Sequence, residues 1–166
     1  MSIREAMEAL GAGISADPAK ARSKPNPAIA RWTGGVKCEV TGAHGQRFLT
    51  DMPPAMGGAA SAPNPGWFLR GAIASCAATV IAMHAAKRGI TLHELEVTVD
   101  TESDLRGILG LGEVAAGQKV VRTSVKIRGN ADEQTLRELV AFADAHSPVG
   151  CSLWDTPRCS LDIEVL

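Results

Sequence analysis

The 166-residue chain predicts an α+β fold in which an antiparallel sheet packs on one long central helix. Three observations carry that expectation. Residues 64 to 89 hold the start and stop chemistry of a single long helix, and two later segments alternate apolar and polar residues as half-buried strands. The strand segments are joined by turns and long loops rather than by helical crossovers, which favours hairpins over βαβ units.

The long helix begins with Asn64 as N-cap and Pro65 at the first helical position. It ends with Lys87 and Arg88 in the last turn and Gly89 as terminator. About 25 residues at about 1.5 Å each make it roughly 37 Å long. Its uncharged part, Gly71 to Ala86, falls short of the roughly 20 apolar residues a bilayer demands, so no membrane partner is expected. A helix apolar nearly all round is instead the buried centre of a core.

Upstream, Ile3, Ala6, Met7 and Leu10 recur at helical spacing, giving a short helix stopped by Gly11 and Gly13. A linker, Asp17 to Pro27, follows, so the expected organisation is an N-terminal helix and linker over residues 1–30 and one domain over residues 31–166. Val36, Cys38 and Val40 alternate with polar neighbours, and Gly42 to Gly45 turn the chain into Arg47, Phe48 and Leu49, a β-hairpin. Cys38 reads as a half-buried strand residue. Met52 to Pro63, rich in Pro, Gly and Ala, is irregular.

Downstream of the long helix, Leu95, Val97 and Val99 form one strand, and Val121, Thr123, Val125 and Ile127 another, each with a wet face. The loop between them carries Gly107, Gly110, Gly112 and Gly117 together with Leu105, Ile108, Leu109 and Leu111. Its glycine order does not match a dinucleotide fingerprint. Leu136, Leu139, Val140 and Ala143 stripe a second helix that Pro148 is expected to end, and Leu161, Ile163 and Val165 are expected to close the fold as a last strand.

Several classes are excluded by composition. A net charge of -1 without a basic run leaves no footprint for nucleic acid, and no Tyr with three Phe and three Trp makes base-stacking platforms improbable. The first residues, with Arg4, Glu5 and Glu8, lack a secretory signal, so a cytoplasmic location is expected. In a reducing compartment Cys38, Cys76, Cys151 and Cys159 remain thiols. Neither they nor the four histidines show zinc-ligand spacing, so neither a metal nor a cofactor is expected.

On a helical wheel Leu69, Ile73, Cys76, Val80 and Met83 fall within roughly 80° of arc, placing Cys76 in the most apolar stripe. Free cysteine is a small hydrophobe, so a plain core residue is one reading. A functional thiol is the other. Cys76 lies too far from the helix start to feel its dipole, and His84 is about 12 Å away along the axis, so an activating cation must come from another segment or subunit. Gly71, Ala72, Ala74, Ser75, Ala77 and Ala78 would let a second helix approach closely, which favours a helix-packed dimer.

The block Gly57-Gly58, Pro63-Asn64-Pro65 and Ala74-Ser75-Cys76 resembles the OsmC/Ohr family of osmotically inducible and organic hydroperoxide resistance proteins. The likeness continues through Lys87-Arg88-Gly89 and returns at Ala145-His146-Ser147-Pro148-Val149, covering roughly residues 36 to 166. The resemblance implies an intertwined α+β homodimer with two interface sites. There a helical cysteine attacks an organic hydroperoxide, a second cysteine forms a disulfide with the sulfenic acid, and a dithiol reductant such as a lipoyl group restores it.

Three positions depart from that pattern. Ser147 stands in the slot of the family's resolving cysteine, with Cys151 four residues on as the substitute; Gly66, followed by Trp67, replaces the family's carboxylate; and Ala43 falls at the place of its arginine, with Arg47 nearby. One reading is therefore a thiol peroxidase with Cys76 as nucleophile, Cys151 as resolver, Arg47 as thiolate partner and His146 as proton donor. Trp67, Phe68 and Ile73 would line its substrate pocket. The other is a non-catalytic protein that binds a small apolar ligand at the dimer interface, with Cys76 as lining.

Overall fold

The computed structural model describes residues 1–165, and the chain divides into two compact units, Met1–Gly71 and a second that begins at Ala72. The first opens with helix α1, Ile3–Ala16, started by a capping box: the Ser2 hydroxyl accepts the Glu5 N–H, and the Glu5 carboxylate accepts the Ser2 N–H. Gly11 and Gly13 do not stop this helix; it runs on to Ala16, because an isolated glycine costs only about 1 kcal/mol in a helix. It buries none of its side chains.

Three antiparallel strands follow in sequential order: β1, Ile29–Gly34; β2, Lys37–Thr41; and β3, Arg47–Thr50. The expected hairpin is β2–β3, with Val40 opposite Phe48, and Cys38 is half-buried in β2 as expected. The β1 strand was not legible in the sequence because Ile29 to Gly34 shows no alternation.

The irregular stretch after β3 is organised by one buried carboxylate. Asp51, fully removed from solvent, accepts the backbone N–H groups of Met52, Ala59 and Ser61 and the Ser61 hydroxyl, at 2.7 to 3.2 Å. The Lys37 ammonium lies 3.9 Å away. These donors, Ser61 foremost, hold the carboxyl well below its ordinary range. The glycine pair is explained here: Gly57 takes a left-handed φ of 81°, and a Cβ on Gly58 would lie 1.8 Å from the Met52 carbonyl oxygen. The loop thereby delivers Asn64 to the start of helix α2, Pro65–Arg88, where the Asn64 side chain accepts the Trp67 N–H at 2.9 Å.

In the second unit α2 continues and is followed by strand β4, Leu92–Glu102; the one-turn helix α3, Leu105–Ile108; strand β5, Val120–Gly129; and helices α4, Glu133–Asp144, and α5, Pro148–Trp154. The β4–β5 ladder pairs Glu94, Glu96 and Asp100 with Arg128, Lys126 and Arg122 on its wet face. Its other face supplies Leu95, Val97, Val125 and Ile127 to a core of Ile81, Ala85, Leu139 and Ala143. The α2 side of that core is the stripe Ile73, Ala77, Ile81 and Ala85, at strict i+4 spacing, which leaves Cys76 half-buried at its flank.

Three expectations are corrected here. Pro148 does not merely end α4; fixed at φ near −65° it starts α5 as the first helical residue after the Ser147 cap. The glycine-rich loop contains α3, capped by the Asp104 side chain accepting the Arg106 N–H. Leu161, Ile163 and Val165 alternate as expected but pair with no strand among the described residues, and their side chains are 83%, 78% and 90% exposed. Alternation specifies a strand only where an edge receives it. By length and composition α2 passes for a membrane-crossing helix, contrary to the count of its uncharged stretch alone, although its 81/85 edge is packed inside the protein.

Because Leu139 is fully buried, Leu139→Ala should lower the unfolding free energy by about 3 kcal/mol, whereas Leu105→Ala on exposed α3 should change it by less than about 0.5 kcal/mol. Chemical denaturation of the two variants measures both.

Candidate functional site

Helix α4 ends at Asp144, and the chain needs only Ala145, His146 and Ser147 to turn into α5. Ser147 is an extended N-cap residue whose hydroxyl oxygen accepts the Gly150 N–H at 3.4 Å. The same hydroxyl donates to the Cys76 sulfur at 3.2 Å. Ser147 is 2% exposed, so both polar capacities of a buried group are met, one by its own helix and one by the thiol of another. A side chain at Gly150 would crowd this arrangement, since a Cβ there would meet the Ser147 oxygen at 3.3 Å.

A sulfur that receives a hydrogen bond presents its remaining lone pairs and has its position fixed. That suits a nucleophile better than an inert filler. Cys76 as a residue is only half-buried.

The remaining predicted residues fall into separate places. Cys151, on the first turn of α5, points its thiol at the carbonyls of Ala145, 3.4 Å, and Asp144, 4.0 Å, and all four cysteines are unpaired. His146, exposed, donates from Nδ1 to the Phe142 carbonyl at 2.7 Å and stacks on the Phe142 ring with centroids 3.9 Å apart. His84 meets the same ring edge-on at 4.6 Å, and the Arg88 guanidinium lies over it at 5.1 Å.

In the first unit Arg47 pairs with Glu39 across β2 and β3. There Phe68 stacks on Phe48 at 4.1 Å and receives the edge of Trp67 at 5.1 Å. Ile73 is buried in the second unit.

The partner of Cys76 was missed as a partner: in the sequence Ser147 registers only as a cysteine lost. Its signal was present in the pattern Ser-Pro-Val-Gly, a hydroxyl N-cap followed by proline at the first helical position. Asp51 was missed as well, since a single carboxylate beside a glycine-rich loop has no periodicity to announce it.

The OsmC-like protein family matches residues 58–162, more than half of the chain, and the protein belongs to that family. The fold agrees with solved structures. An OsmC-like protein from Mycoplasma pneumoniae superposes with a TM-score of 0.69 at 16% identity, over 81% of this chain and 91% of its own. An organic hydroperoxide resistance protein OsmC from Legionella pneumophila gives 0.55 at 21% identity, over 79% and 91%. The organic hydroperoxide resistance protein OhrB of Bacillus subtilis gives 0.54 at 21%, over 80% and 93%. Comparison of the sequence with curated proteins finds no match.

Burial of the His84 ring, followed by the charges of Lys87, Arg88 and His146, holds it below the ordinary histidine value of about 6.5. The fold favours the neutral ring, so its contribution to stability is present above about pH 6.5 and is lost on acidification, as the unfolded chain takes up a proton the folded one refuses. The variant His84→Gln should therefore lose part of the fall in unfolding free energy between about pH 7 and pH 5. Denaturant melts across that range check it, and an unchanged slope would assign the fall to other groups.

Proposed function

We propose that the protein reduces organic hydroperoxides through Cys76, acting as a homodimer in the cytoplasm, with residues 31–166 as its functional domain. The hydrogen bond from the buried Ser147 hydroxyl to the sulfur of the half-buried Cys76 is the observation that carries this reading. Family membership and two fold neighbours named for organic hydroperoxide resistance support it.

The Cys76 thiolate attacks the terminal peroxide oxygen, the O–O bond breaks, and the alkoxide leaves as an alcohol after protonation. The sulfur is oxidised by two electrons to sulfenic acid. His146, next to Ser147, is the proposed proton donor. Arg47 is engaged by Glu39 within the first unit. Ile73, in the same unit as Cys76, is the proposed apolar contact for the alkyl group.

The proposed dimer answers an exposure the single chain leaves open. Only 17% of the most apolar stretch of α2 is buried, and small residues border Cys76 on that helix. A second α2 packed there would cover it.

A second reading, a non-catalytic protein binding a small apolar ligand at the dimer interface, draws on a groove of about 410 Å³ in the second unit whose apolar lining, Ala77, Ile81, Val125 and Trp154, is interrupted by Arg137 and Asp144.

With cumene hydroperoxide and dithiothreitol, the wild-type protein should turn over and Cys76→Ser should fall to the uncatalysed rate, while Cys38→Ser and Cys159→Ser keep most of the activity. Peroxide loss no faster than with Cys76→Ser would favour the groove. Sedimentation velocity should show twice the chain mass; a monomer at every concentration would remove the proposed dimer.

A further inference from the structure

Resting on the hydroperoxide reading, we infer that Cys76 completes its cycle without a second cysteine of this chain: Ser147 positions the sulfur and then caps its sulfenic acid, and the second sulfur is supplied by a small thiol from solution. Three observations converge on this. The group that touches the Cys76 sulfur is a hydroxyl, which cannot form a disulfide. Cys151, one turn along α5, has its thiol turned onto the carbonyls that end α4. Cys38 lies in strand β2 of the first unit and Cys159 is exposed in the segment after α5; neither is paired.

The hydroxyl suits both halves of the cycle. Before oxidation Ser147 donates to the sulfur, stabilising the negative charge that attacks. After it, the same group, still anchored by the Gly150 N–H, can donate to the sulfenate oxygen or accept from the sulfenic O–H, since a hydroxyl does both. Burial of Ser147 keeps water from competing for these bonds.

Resolution then proceeds by exchange. A thiolate such as glutathione attacks the sulfenic sulfur, an S–S bond forms, and hydroxide leaves and takes a proton to become water. A second glutathione thiolate attacks the sulfur of the first. It forms glutathione disulfide and returns Cys76 as the thiolate. Each cycle consumes one hydroperoxide and two thiols and yields one alcohol, one water and one disulfide, so electrons balance. Ser147 touches the reacting sulfur throughout and is on this reading a catalytic residue.

The test uses the full-length reduced protein and one equivalent of cumene hydroperoxide without thiol, quenched with acid and analysed by intact mass and peptide mapping. A parallel sample contains dimedone. The expected product carries one added oxygen, trapped by dimedone on Cys76, and subsequent glutathione converts it to a mixed disulfide at that residue. Loss of two hydrogens, with Cys76 linked to Cys151 or to Cys38, would overturn the inference while leaving the hydroperoxide reading intact. No oxidation at Cys76 overturns both.

Three variants separate positioning from folding. Ser147→Cys should, on the same treatment, form an internal disulfide between Cys76 and the introduced thiol and need no glutathione for resolution; failure to do so would show that position 147 does not face the sulfur. Ser147→Ala should slow sulfenic acid formation roughly tenfold, the worth of one hydrogen bond. Ser147→Thr, which keeps the hydroxyl, should recover it. Equal rates in Ser147→Ala and wild type would overturn the role of the hydroxyl.

Discussion

A single polar contact ties the chemistry to the fold. The Ser147 hydroxyl, held by its own helix and almost fully buried, is donated to a sulfur midway along α2. For that contact to exist, α4 must end at Asp144, a three-residue turn must follow, and Pro148 must restart a helix at once. Small residues permit the approach: Ala77 and Ala85 on α2 and Ala143 on α4 are all buried. Replacing any of them with a larger side chain would push helices apart by more than a hydrogen bond tolerates. Packing in the second unit and the place of the Cys76 sulfur are thus set by the same few methyl-sized positions.

Strong periodicity and strong end signals were readable from the residues alone. The bounds of α2 are those its caps announce, because Asn64, Pro65 and Gly89 each have one preferred backbone role. Both long strands and α4 appear where alternation or a 3.6-residue stripe places them. Cys76 was also visible, but its surroundings were not. Helical spacing placed it in the centre of the apolar stripe, whereas the buried line runs one position along, through Ala77, and leaves the sulfur at its flank.

What escaped was whatever depends on a partner far away in sequence. Strand β1 has no pattern of its own and exists because β2 offers it an edge, Ile29 facing Thr41 and Trp32 facing Cys38. Asp51 organises residues up to ten positions away through four acceptor contacts that no local rule anticipates. Conversely, residues 161–165 carry a pattern without a strand partner among the described residues. A pattern is a necessary condition for a strand, and a receiving edge is the other half.

That unpaired ribbon bears on the life of the newly made polypeptide. Alternating apolar side chains with no strand partner among the described residues form a template for any exposed sheet edge, including the wrong one. Until something covers it, a chain leaving the ribosome is a target for chaperones and proteases, and its abundance in the cell follows how quickly that cover arrives.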